Sequence, residues 1–118
     1  MTVSFNGWKE NAATFEAEDG LNPGDVVKVS GNGQVSACGA GEKFAGVVLS
    51  NRGGFAAVQL AGYAEVAYSG TAPTVGYQFL CADGNGGMKK ADSEAVTAGR
   101  ELLVVSVDTT GETAGILL

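Results

Sequence analysis

The sequence predicts an all-β protein, and three observations carry that expectation. Nineteen of its 118 residues are glycine, more than twice the usual share of roughly 7%. They punctuate short apolar runs and follow no collagen-like period. Several runs alternate in the strand manner, as in DVVKVS at 25–30, where Val27 and Val29 take one face and Lys28 the other. No stretch holds a 3.6-residue apolar period over ten residues. Short strands joined by tight turns satisfy all three observations, so the expected architecture is a compact β-barrel or sandwich of about ten short strands.

The first twenty residues, MTVSFNGWKENAATFEAEDG, differ from the rest. They are polar, with isolated aromatics at Phe5, Trp8 and Phe15, and read as an extended N-terminal arm holding a short strand at 13–18. Large rings rarely stand in water without cause, so the three aromatics point to an arm that docks. From residue 21 the punctuation becomes regular. NPGD is a turn, DVVKVS a strand, and GNG at 31–33 a hairpin turn, because Asn-Gly tolerates positive φ. QVSAC returns and GAGEK turns; FAGVVLS, FAAVQLAG and YAEVAYS are three further strands. PTVG opens a second cycle: YQFLCA, a DGNGG turn, GMKKA, a polar connection DSEAVTAG long enough for one helical turn, then RELLVVSVD and TAGILL.

The two cycles align. PGDVVKVSGNGQVSA and VGYQFLCADGNGGMKKA share the order glycine, strand, GNG turn, strand. Residues 45–60 match 103–118 without a gap, setting Gly53 on Gly111, Ala56 on Ala114, Val58 on Ile116 and Leu60 on Leu118. A pseudo-two-fold internal repeat follows, with half-repeats at 21–62 and 74–118 inside one β domain at 21–118. Neither half alone is large enough to bury its apolar face. Around 44–49 both strand faces are apolar: Ala45, Val47 and Leu49 on one, Phe44, Gly46 and Val48 on the other. Such strands are sandwiched or lie at an interface. Phe44, Val48, Phe55, Leu117 and Leu118 are therefore the candidates for core strands or self-association.

The charge balance narrows function. Seven basic residues stand against thirteen acidic, a net charge of −6, and no basic cluster exceeds Lys89-Lys90. Nucleic-acid backbones and anionic membrane surfaces both call for a basic footprint, so neither is expected as a partner. No run reaches the ~18 apolar residues of a membrane span. MTVSFNGWKEN has no apolar h-region, and synthesis in a cytoplasm is the expectation.

The chemistry inventory is bare. With no histidine, Ser-His-Asp and Cys-His catalysis and most zinc sites are excluded. Cys38 and Cys81 have no CxxC spacing and read as small buried hydrophobes, with a bridge between them left open. Glu16, Glu18 and Asp19 read as a solvated face. Asp83-Gly84-Asn85-Gly86-Gly87 sets oxygens at alternate positions but lacks the further acidic ligands of a calcium loop, and a hairpin turn explains it. No catalytic residue, metal site or cofactor is expected, and the chain does not read as an enzyme.

PGDVVKV, GNGQVSACGAGEKFAGVVL, the return VQLAGYAEV, PTVGYQFLCADGNGGMKKA and the closing valine-rich hairpin together resemble the capsid decoration (cement, head-stabilising) proteins of tailed phages and prophages. The resemblance covers 21–118. It implies a compact β domain, often a homotrimer, on the outside of a virion, where it binds the major capsid protein and stabilises the shell after assembly in the host cytoplasm. An arm commonly reaches onto the lattice in such proteins; assigning Phe5, Trp8 and Phe15 to capsid contact is an inference from that. Other phage virion or tail β modules are the alternative. A third reading is a biotinyl or lipoyl carrier or ligand-binding domain, because Lys89 follows Met88 in GMKKA. In carrier domains the modified lysine sits where the halves meet, and the corresponding window here, GYAEVAYSGTAPTVG, has no lysine.

Overall fold

Ten strands and, among the described residues, no helix make up the computed structural model, which describes residues 11–18, 20–91 and 99–118. They are β1 (Asn11–Ala17), β2 (Val26–Gly31), β3 (Gln34–Ala37), β4 (Gly46–Arg52), β5 (Phe55–Ala61), β6 (Tyr63–Ala67), β7 (Gly76–Ala82), β8 (Met88–Lys90), β9 (Arg100–Asp108) and β10 (Thr113–Leu117). The first five close into a barrel in the order β1-β3-β2-β4-β5; the other five form a sheet in the order β6-β10-β9-β7-β8. The expected strands are all present, because apolar alternation and Gly-rich turns are local signals. The polar connection at 92–98 lies outside the described residues.

Two cores divide the apolar residues. Leu21, Val27, Val35, Val48, Ala56 and Val58 form one, with Phe15 and Ala17 packed against it. The second joins Val26, Phe44 and Val47 from the first half to Leu80, Met88, Leu102, Val104 and Ile116 from the second. Neighbouring residues on one strand thus serve different cores: Val27 and Val48 fill the barrel, while Val26 and Val47 face the second sheet. That is why β2 and β4 are apolar on both faces. They are sandwiched within the chain, and Phe44 and Val48, each about 1% exposed, are core residues unavailable for self-association.

The repeat extends to topology. Reading β3-β2-β4-β5 in the barrel and β8-β7-β9-β10 in the sheet gives the same succession of hairpins, and β1 and β6 flank β5 and β10 in the same antiparallel way. The ungapped match of 45–60 to 103–118 holds only after the turn. Arg52 pairs with Phe55 across Gly53-Gly54, whereas Asp108 pairs with Thr113 across a turn two residues longer. Before the turn the equivalence therefore shifts by two, setting Leu49 on Val105. Both of these residues fall in irregularities of the pairing, between Val48 and Ser50 in one hairpin and opposite the Gly115/Ile116 shift in the other. The longer turn is held by Asp108, whose Oδ1 accepts from the backbone N of Thr110 and Gly111 at 3.0 and 3.1 Å.

The arm expected over 1–20 needs correction. β1 pairs with β5 from Asn11 to Glu16 and in parallel with β3 at Glu16↔Gln34 and Ala17↔Val35. It is the stave that closes the barrel, so 11–17 are part of the fold and not of an arm; residues 1–10 lie outside the described residues.

Candidate interaction surface

Each half-chain reaches its neighbour through specific contacts. Arg100 at the start of β9 donates from Nη1 to the carbonyl oxygens of Ala45 at 3.2 Å and Phe44 at 3.5 Å, and its guanidinium stands 5.9 Å from the Phe44 ring centroid. Burial holds the Arg100 pKa below its ordinary value. Gln59, a buried polar residue of the barrel, donates from Nε2 to the Tyr63 carbonyl at 2.8 Å and the Ala61 carbonyl at 3.1 Å, which fixes the crossing from β5 into β6. These groups are consumed in joining the halves.

The residues that attracted chemical readings are likewise accounted for structurally. The Asp83 carboxylate accepts from the backbone N of Asn85 at 2.7 Å and of Gly87 at 3.1 Å, and from the Ser69 hydroxyl at 3.1 Å. It caps its own turn, as an Asx carboxylate does. Among the described residues no three of His, Cys, Asp and Glu gather as metal ligands. Cys38 and Cys81 are both buried and are not joined in a disulfide. Burial pushes the Cys38 thiol up to about 11, the state of an inert small hydrophobe. Lys89 lies in the short strand β8, paired with Cys81.

The other candidates fall in different places. Phe5 and Trp8 lie outside the described residues. Phe15 is half-buried in β1 against the barrel core, so it serves the barrel and is not a contact on a free arm. Phe55 is 52% exposed at the start of β5. Leu118 packs on the shared core and donates from its backbone N to the Gly62 carbonyl at 2.9 Å. Leu117 faces away from that core.

Leu117 belongs to a row that sequence reasoning did not assemble. Tyr77 pairs with Leu103, Leu103 with Leu117, and Leu117 with Tyr63, giving four apolar side chains abreast on β7, β9, β10 and β6. The adjacent row, Val104, Ile116 and Ala64, is buried in the shared core, and alternation sends the first row to the outward face. Tyr63 is covered there, its hydroxyl donating to Glu65 at 3.2 Å. Tyr77 is 69% exposed, and Val75 just before β7 is 70% exposed. These residues come together only through strand pairing, so no motif marks them.

Two grooves lie at the closing seams. One of about 480 Å³ is lined by Glu16, Glu18, Gln34, Ser36 and Phe55 among others. The second, of about 310 Å³, is lined by Ser69, Gly70, Thr71, Lys89, Lys90 and Ala91. No protein-family model matches the chain, and no curated protein matches it significantly.

Proposed function

We propose that this chain is a structural virion protein that binds the outside of a phage capsid through the major capsid protein, associates with copies of itself, and stabilises the shell. The observation that carries the reading is the outward face of the second sheet. Tyr77, with Val75 just before its strand, stands open beside half-buried Leu103 and Leu117 on a paired sheet. Contiguous apolar surface of that kind is a mark of contact with another macromolecule, and aromatic anchors supply much of the energy in such contacts. The sequence resemblance to decoration proteins supplies the class of partner. Phe5 and Trp8 would extend the contact onto the lattice in the same reading. Repetition over a shell makes individually weak contacts cumulative.

The test is co-sedimentation of the purified protein with expanded capsid shells of a phage or prophage encoding it. Binding is expected, with at least a tenfold loss for Tyr77→Lys. Deletion of 1–10, which leaves β1 intact, is expected to weaken binding without changing the fold. No co-sedimentation at saturating protein would sink the proposal.

A further inference from the structure

The two halves close by the same device. In the barrel, Ala17 at the end of β1 donates its backbone N to the carbonyl of Gly54, and the chain pairs in parallel with β3. In the second sheet, Tyr68 just after β6 donates its backbone N to the carbonyl of Glu112 and forms a parallel bridge with Met88 at the start of β8. The acceptors Gly54 and Glu112 are the last residues of equivalent hairpin turns, and both have positive φ, 84° and 55°. The groove beside Ala17 and the groove beside Tyr68 thus flank equivalent closures and overlap at two equivalent positions, Glu18 with Ser69 and Ser36 with Lys89. Their charges are opposite. The barrel groove is lined by Glu16 and Glu18 and by no cation; the sheet groove is lined by Lys89 and Lys90 and by no carboxylate, with the Asp83 carboxylate engaged by the hydroxyl of its lining residue Ser69. Two of the chain's seven basic residues stand side by side there, and among the described residues neither makes an ion pair.

We propose that the acidic seam of one copy docks on the basic seam of another, in head-to-tail self-association. Charge complementarity argues for a second copy as the occupant: each chain carries both halves of the match, one beside each closing seam. Opposed potentials across such a contact steer encounter and fix register. Phe55, 52% exposed on the rim of the acidic groove, offers an apolar anchor. A heterologous contact of this type closes into a ring when its rotation permits, and otherwise grows as an open chain. The inference rests on the self-association in the proposed function and not on its capsid partner.

Light scattering and sedimentation velocity of the full chain test this. The wild type is expected to associate at low salt, with its association constant falling at least tenfold between 50 and 500 mM NaCl, as screening requires. The double variants Glu16→Lys/Glu18→Lys and Lys89→Glu/Lys90→Glu should each be monomeric with unchanged circular dichroism, and mixing the two should restore association. A wild-type monomer at every concentration, an oligomer indifferent to salt, or a mixture that stays monomeric would overturn the proposal. So would stronger association of Lys89→Glu/Lys90→Glu alone, because the lysines would then only guard the exposed edge of β8. If either variant fails to fold, the salt dependence of the wild type decides. Monomers that still bind capsids would defeat this inference alone; oligomers that do not bind would defeat the capsid reading alone.

Discussion

The barrel and the second sheet share a strand order and yet bury their apolar residues differently. The barrel is filled from within by small side chains: four valines, one leucine and one alanine. The second sheet carries larger ones, including Leu80, Met88, Leu102 and Ile116, and its core is completed by Val26, Phe44 and Val47 from outside the sheet. One unit is thus self-filled, and its outer surface is the lid of the other. The difference teaches that duplication of a β unit need not give two independent domains: the second half depends on the first for its core, and cooperativity follows from that dependence.

The comparison is broken most forcefully at Phe44. It belongs to the first half but lies fully buried in the shared core under Arg100. Phe44→Ala is expected to cost about 4 kcal/mol by cavity formation, with a single denaturant transition for both halves. A second transition would show that the halves fold separately. Gly46 comes next. A Cβ there would press on the Gln59 carbonyl and stand 2.7 Å from Val58 Cγ1, whereas the equivalent position in β9 accepts Leu102. Gly46→Ala should cost about 2 kcal/mol by overpacking, read as a lower urea midpoint at unchanged m-value.

A smaller effect separates the two turns. Among the described non-glycine residues only Glu112 has positive φ, and its counterpart is Gly54. Glu112→Gly should relieve backbone strain and stabilise by about 1 kcal/mol, a rise of a few degrees in Tm. No rise would mean that the side chain compensates. The smallest expected effect at neutral pH concerns Cys38, whose folded pKa is raised from 9.0 to about 11. An unfolded thiol ionises first as pH rises, so folding stability is intact below pH 9 and declines between 9 and 11. Its alkylation in the native protein at pH 8 should run about 100-fold slower than that of a free thiol, from thiolate fraction alone. Equal rates would show that the site opens readily.

Some of this was legible beforehand. The strands, the Asn-Gly turn at 32–33 and the burial of both cysteines follow from alternation, turn chemistry and hydrophobicity, which act over a few residues. The doubly apolar run at 44–49 announced two buried faces, but nothing local distinguished an intramolecular sandwich from a subunit interface. Phe15 reads as an arm residue for the same reason: the barrel core it packs against is built from residues as distant in sequence as Val48, Ala56 and Val58. The outward row of Tyr77, Leu103, Leu117 and Tyr63 draws one residue from each of four strands, and the two seams join segments that carry no shared motif.

The sequence by itself determined that this is an all-β chain of short strands in two related halves, without histidine and with an acidic balance, because period, turn residues and composition are properties of neighbours along the chain. Only the tertiary structure decided that β1 closes a barrel, that the two halves share one core, and that Glu16 and Glu18 gather in a groove at one closing seam and Lys89 and Lys90 in a groove at the other. Those facts depend on strand pairings between residues far apart in sequence, where register and closure are set by packing across the whole fold.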